Sequence, residues 1–309
     1  MGALSRASHN RLPPEPKPLG AGAPAGEVVR NAIATSTRRL LEHEAGVRSG
    51  DDPEDIHQAR VACRRLRSDL RTFSSLLDQQ WMEATRAELR WLGGLLGEVR
   101  DQEVLRDRLR GHAQVLPEGD RPAAERLIAG LDETRGRSRQ HLLQAIRSDR
   151  YLALVDCLLA ASQAPPLLDG APAPAVEVLV PSVAQAWRKL RKAVRRIGPE
   201  PEDADLHQVR IRAKRSRYAA EAVAPVVPKA AKFAAAVADL QTVLGEHQDA
   251  VVAQAWLREE GTQSGPGLAL AAGELVVVED AARLAARRRW RKAWKRARRR
   301  KLRSWLASG

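Results

Sequence analysis

Two eleven-residue stretches carry imidazole and guanidinium groups in the same order. His57-Gln58-Ala59-Arg60-Val61-Ala62-Cys63-Arg64-Arg65-Leu66-Arg67 recurs 150 residues later as His207-Gln208-Val209-Arg210-Ile211-Arg212-Ala213-Lys214-Arg215-Ser216-Arg217. On a helix, His57, Arg60, Arg64, Arg67 and Arg71 fall within an arc of about 80°, so the charge forms one narrow stripe. His207, Arg210, Lys214 and Arg217 repeat it, with Glu221 in the place of Arg71. Several cations in line suit a ligand with closely spaced negative charge, such as a phosphate polymer. Arginine fits best, because a planar guanidinium donates two parallel, charge-assisted hydrogen bonds to phosphate oxygens.

The other reactive groups point away from catalysis. His57 and His207 lie near helix starts, where the dipole disfavours the imidazolium, and a neutral ring there donates one N–H to a phosphate or caps a neighbour. Neither has an adjacent nucleophile, and no HExxH, CxxC or phosphate-cradling glycine loop occurs. No catalytic residue, metal site or cofactor is expected. Arg100, Asp101 and Asp249 read as packing and positioning groups, a carboxylate being able to hold an arginine in one rotamer. Cys63 and Cys157, the only cysteines, sit in apolar helical patterns, where a thiol acts as a small hydrophobe, and a reducing cytoplasm fits.

The stripes need helices to carry them. The 309 residues are rich in Ala, Arg, Leu and Glu and poor in aromatics, a mixture that favours helix over strand. Ile56, Cys63, Leu66, Leu70, Phe73 and Leu77 lie beside the first stripe as its buried seam. Asp51-Asp52-Pro53-Glu54 is an acidic, proline-containing helix start, matched by Pro201 to Asp205 before the second stripe. The pattern predicts a first helix over 27–46 that Gly46 and Gly50 help to end. A stripe helix then runs to about Leu77, a third helix covers about 81–112 and a fourth about 122–161. Gly97, inside Leu96-Gly97-Glu98, predicts a close helix crossing.

The second half repeats this order. Glu27, Val28, Ala34, Arg38 and Leu40 align at the same offset with Glu177, Val178, Ala184, Arg188 and Leu190, and Leu96-Gly97-Glu98 and Asp101 recur as Leu244-Gly245-Glu246 and Asp249. A period this long indicates two copies of one domain rather than a solenoid. The expected architecture is all-α, two four-helix bundles related by internal duplication with pseudo-twofold symmetry. Residues 1–25 form a flexible N-terminal tail, 26–164 the first repeat, 165–174 a Pro/Ala/Gly linker, and 175–309 the second repeat with a basic C-terminal helix. In that last segment Trp290, Trp294, Ala297 and Trp305 share a face that the helix could bury. A formal charge of +14 attracts polyanions in general, be they nucleic acid, an anionic membrane surface or a phosphate polymer. No apolar run is long enough to span a membrane, and the N-terminus lacks an apolar signal region.

The doubled His-x-x-Arg motif and the Leu-Gly-x-x-x-Asp segments resemble the CHAD family, the conserved histidine α-helical domain, over about Glu27 to the C-terminus. The resemblance implies two four-helix bundles with basic residues lining a central groove that binds inorganic polyphosphate, and association with polyphosphate granules in the cytoplasm. Family members often carry an adjoining CYTH triphosphatase domain, for which this chain has no room, and intrinsic hydrolysis is not expected. The expected ligand residues are His57, Arg60, Arg64, Arg67, His207, Arg210, Lys214 and Arg217, with Arg38 and Arg188 in second rank. Inorganic polyphosphate is the expected partner. Nucleic acid is a secondary one through the Arg-rich C-terminal helix, and a phosphate-processing enzyme is a third reading. Chain-length preference and oligomeric state are left open.

Overall fold

The computed structural model describes residues 12–20 and 22–307, and all their regular elements are helical. Helix α1 spans Ala25–Glu42, α2 Glu44–Ser49, α3 Pro53–Thr72, α4 Gln79–Ala113, α5 Arg121–Ala145 and α6 Asp149–Gln163. In the second half, α7 spans Ala175–Arg196, α8 Asp203–Val223, α9 Pro228–Gln263, α10 Pro266–Ala297 and α11 Arg300–Arg303, followed by a 3-10 turn over Ser304–Ala307. No helix of the described residues is long and apolar enough to cross a membrane.

The helix starts follow the local chemistry. Asp52 caps α3 by accepting the Glu54 N–H at 2.8 Å, with Pro53 at the first helical position. Asp78 caps α4 by accepting the Trp81 N–H at 2.7 Å, and Glu202 and Asp205 form a reciprocal capping box on α8. Three boundaries differ from the sequence reading. Gly46 lies inside α2, and Gly50, at φ 79°, is the residue whose left-handed backbone ends it. The stripe helix stops at Thr72, the following residues turning to bury Phe73, Leu76 and Leu77. The helix expected over 122–161 breaks after Ala145, where the Ser148 hydroxyl donates to the Ala145 carbonyl at 2.6 Å and Ser148 starts α6.

The apolar core does not divide along the halves of the chain. One cluster runs from α1, α3 and α6 through the first part of α4 into α7, α8 and the first part of α9, and takes in Trp290, Ala297 and Trp305. A second, smaller cluster forms where the α4–α5 hairpin meets the α9–α10 hairpin, around Leu109, Ile128, Leu131, Leu257 and Leu275. Trp290 and Trp294 lie on α10, but the chain turns at Arg298 and Arg299, so Trp305 reaches the core from the 3-10 turn rather than from the same helix face.

Residues 165–174 are tied down at both ends. Leu168 N–H donates to the Leu76 carbonyl and Asp78 N–H to the Pro166 carbonyl, each at 2.9 Å. Pro24 and Pro174, 150 residues apart, face each other in an antiparallel bridge closed by Ala25 N–H to Ala173 O (2.9 Å) and Ala175 N–H to Ala23 O (3.0 Å). Of the tail expected over 1–25, residues 1–11 and Ala21 lie outside the described residues. The Lys17 carbonyl accepts from Asn31 at 2.7 Å and the Pro13 carbonyl from Arg38 at 2.8 Å, so the described part lies along α1.

Candidate functional site

Helices α3 and α8 set their stripes facing a groove of about 580 Å³ that α4 and α9 complete. Arg60, Arg64, Arg67 and Arg71 line it from α3, His207, Arg210, Lys214 and Arg215 from α8, and Arg86 and Arg108 from α4. Nine cations thus meet two carboxylates there, Asp101 and Asp249. Each stripe helix is held by its apolar seam: Ile56, Cys63, Leu66 and Leu70 are buried under α3, and Leu206, Val209 and Ala213 under α8. Burial pushes the Cys63 thiol up to about 12, as befits a core side chain.

Crowded cations change one another. Lys214 is brought down from 10.5 to about 7, first by burial and then by Arg64, Arg210, Arg60 and Arg67. Arg64 and Arg67 are lowered as well, mainly by burial and then, for Arg67, by Arg90 and Arg86. The groove is therefore a region of strong positive potential in which a proton on Lys214 is only loosely held.

The cations are positioned by neighbours on α4, α9 and α10. Arg60 reaches from α3 to Asp101 on α4, donating at 2.7 and 3.3 Å in a forked pair. Its guanidinium lies along Gly97, where an added Cβ would come 3.5 Å from Nε. Arg210 stands in the same way 3.8 Å from the corresponding point of Gly245. The glycine that predicted a helix crossing thus makes room for an arginine side chain. Asp249, the counterpart of Asp101, is raised by burial while Arg210 pulls it down. Arg108 is fixed by Glu279 of α10, whose fully buried carboxylate accepts from Arg108 at 2.6 and 2.8 Å and pairs with His112 Nδ1 at 2.8 Å.

The two motif histidines have different surroundings. His207 lines the groove, and its Nδ1–H donates to Gln248 Oε1 at 2.6 Å, which leaves Nε2 for a ligand. His57 has Arg100 where His207 has Gln248. Its imidazolium is disfavoured first by burial and then by Arg100. His57 and Arg217 do not line the groove but a second cavity of about 680 Å³, which shares Arg64 and Tyr218 with it. Glu221 draws Arg217 there, accepting its Nε–H at 2.6 Å, and also takes Arg65. Arg38 is occupied by Glu42 and the Pro13 carbonyl, and Arg188 is exposed on α7, away from the groove lining.

Four groove cations outside the sequence-derived set are Arg71, Arg86, Arg108 and Arg215. Arg86 and Arg108 had a signal. Arg86, Gly93, Gly97, Asp101 and Arg108 recur at helical spacing on α4, a polar stripe interrupted by glycines. Among the described residues, no group of three or more His, Cys, Asp and Glu is placed to hold a metal ion.

Comparison with known proteins identifies a family. The family model of the CHAD domain matches residues 31–258. Two uncharacterized proteins from two strains of Mycobacterium tuberculosis are each 34% identical over 271 residues, covering 83% of this chain and 49% of theirs. The chain thus spans about half the length of these curated relatives. Among solved structures, PptA from Streptomyces chartreusis is 26% identical, with a TM-score of 0.73, over 88% of this chain and 100% of that one. The CHAD domain from the plant Ricinus communis is 25% identical, with a TM-score of 0.64, over 96% of this chain and 97% of that one.

Proposed function

The chain belongs to the CHAD domain family, and from that premise we propose that it binds inorganic polyphosphate along the α3–α8 groove and so associates with polyphosphate granules. Polyphosphate binding is a general property of the family. The observation that carries the reading for this chain is the groove itself, nine cations around about 580 Å³. A linear phosphate chain has no base edges or side chains to recognise. Arg60, Arg64, Arg67, His207, Arg210 and Lys214 serve as ligand residues, joined by Arg71, Arg86, Arg108 and Arg215. His57, Arg217, Arg38 and Arg188 are assigned no contact in the groove.

We read the function as binding rather than turnover, because the groove is lined above all by guanidinium donors to phosphate oxygens. Two matched variants test this. Arg60, Arg64, Arg210 and Lys214 changed together to Gln remove three guanidinium charges and the Lys214 amine from the groove. Lys292, Lys295, Arg298 and Arg299 changed to Gln remove four exposed charges near the C-terminus. Binding of long-chain polyphosphate, measured calorimetrically at near-physiological salt, should collapse in the first and persist in the second, with both folded by circular dichroism. Equal losses would mean that bulk charge drives binding. Release of phosphate that tracks the protein through purification would move it to the enzymes.

A further inference from the structure

A second cationic surface lies outside the groove. From Ala281 to Ala307 the chain holds thirteen Lys and Arg and no carboxylate, and from Val178 to Pro199 it again holds cations without acids. The fold places these stretches together. Trp187 of α7 stacks beside Trp294 of α10 with ring centroids 5.2 Å apart. Arg291 donates to the carbonyls of Gly198 and Pro199 at 3.0 and 2.6 Å, binding the end of α7 to α10. The turn after α10 folds Arg303 back to donate to the Arg298 carbonyl at 3.1 Å. There the charge of Arg303 acts on Arg191 together with that of Arg195. None of these residues lines the groove.

The face is partly unspent. Arg283, Arg287 and Arg289 pair with Asp203 and Glu246, but Arg195, Arg196, Lys292, Lys295, Arg299 and Lys301 are exposed. Lys292 and Lys295 are exposed about one helical turn apart on α10, and Arg299 continues the charge into the turn that follows. Three kinds of anionic partner meet such a face differently. A membrane surface calls for apolar side chains to insert, and among the described residues no large exposed hydrophobe falls in 178–199 or 287–306, Trp290 and Trp305 being buried. Polyphosphate, a single file of phosphates, has no need of a face spread over two helices. A nucleic-acid duplex, whose two backbones border grooves roughly 6 and 12 Å wide, spreads its phosphates over a broad surface and suits an open face with spaced cations.

We propose that the α7/α10–α11 face binds the phosphate backbone of duplex nucleic acid without reading sequence, independently of the groove. One molecule can then hold a duplex on one surface and a phosphate polymer on another. The proposal does not rest on the groove reading, so either can fail alone.

The test uses the full chain, a labelled 20-base-pair duplex of arbitrary sequence, long-chain polyphosphate, and vesicles of equal phosphatidylglycerol and phosphatidylcholine. Changing Lys292, Lys295, Arg298 and Arg299 to Gln should weaken duplex binding at least tenfold and reduce the slope of log affinity against log salt by about three to four, while polyphosphate binding is retained. The groove variant, with a comparable charge change, should bind the duplex within about threefold of wild type. A second face variant, Arg191, Arg195 and Arg196 to Gln, approaches the surface from α7 and should behave like the first. Duplex affinity unchanged in both face variants overturns the proposal, as do equal duplex losses in face and groove variants. Vesicle binding stronger than duplex binding at equal phosphate, abolished by the same face changes, would overturn it in favour of a membrane. If the groove variant binds polyphosphate normally while the face variants lose the duplex, the groove reading falls and this one stands.

Discussion

If polyphosphate occupies the groove as proposed, Lys214 should couple its binding to a proton. In the free protein it holds its proton with a pKa of about 7, because burial and four neighbouring arginines oppose a further charge. A bound phosphate chain neutralises those arginines and offers the ammonium an acceptor, returning the group toward its ordinary 10.5. At pH 8 the free lysine is about nine-tenths neutral, so binding takes up roughly 0.9 proton there and far less at pH 6. Linkage then fixes the size of the effect. With those two pKa values, affinity falls about tenfold between pH 6 and pH 8 through this one proton. Calorimetry in two buffers of different ionisation enthalpy counts the protons. Long chains are used because their titrating end groups are few. Lys214→Arg keeps the charge at every pH and should bind at pH 8 more tightly than wild type, with little proton uptake. Lys214→Gln should be weak and insensitive to pH in the same range. The same uptake at pH 8 in wild type and in Lys214→Arg would refute the reasoning, since the proton would then belong to another group.

Further outcomes follow from burial and close contact. Glu279→Ala removes the acceptor from Arg108 and His112 at a fully buried site, and should cost about 3–5 kcal/mol in denaturant unfolding. Gly46→Ala drives a Cβ into the Asp55 carboxylate, pushing aside the group that pairs with His43 at 2.7 Å, and should cost about 1–3 kcal/mol in denaturant unfolding. Gly97→Ala, by contrast, meets Arg60 at 3.5 Å and should leave folding and polyphosphate affinity near wild type, as read by thermal unfolding and calorimetry. Asp69 is raised by burial from 3.8 to about 7, even though Arg65 pulls it down. The native state therefore binds more protons than the unfolded one between those values, and stability falls as pH rises from about 4 to 7. Asp69→Asn should flatten that part of the stability curve measured in urea.

The helices and the stripes were legible because local chemistry determines both. Asp52-Pro53 and Asp205 set the starts of α3 and α8 by capping, and the seams under the stripes have helical period. The break at Ile146 to Ser148 was not legible. No glycine or proline marks it, and it depends on a serine hydroxyl competing for a backbone carbonyl. The joining of both halves into one core was hidden for a different reason. Hydrophobic period tells which face of a helix is buried but not which partner buries it, and here α1 and α7 meet directly through the Pro24–Pro174 bridge.

The stripe was legible in the residues themselves, whereas the groove was expected only through the family resemblance. Repetition at a fixed offset suggests that corresponding residues do corresponding work, and for Arg60 and Arg210, each beside a glycine and near an aspartate, the structure agrees. It fails at the far end of the stripe because one substitution acts through a neighbour. With glutamate at 221 where the first copy has Arg71, a carboxylate replaces the cation and captures Arg217 and, across the helix pair, Arg65. Arg67 and Arg71 stay in the groove, Arg217 leaves it, and Arg215 supplies the charge on that side. The second cavity thus has an acidic corner, Asp69 and Glu221, whose equivalents in the other repeat, Ala219 and Arg71, carry no carboxylate. Duplicated sequence therefore forms one continuous cationic groove with two unlike flanks. The proposed binding of a phosphate chain rests on what the copies still share, and the asymmetry around it on a few exchanges, of which Arg71 for Glu221 moves the most charge.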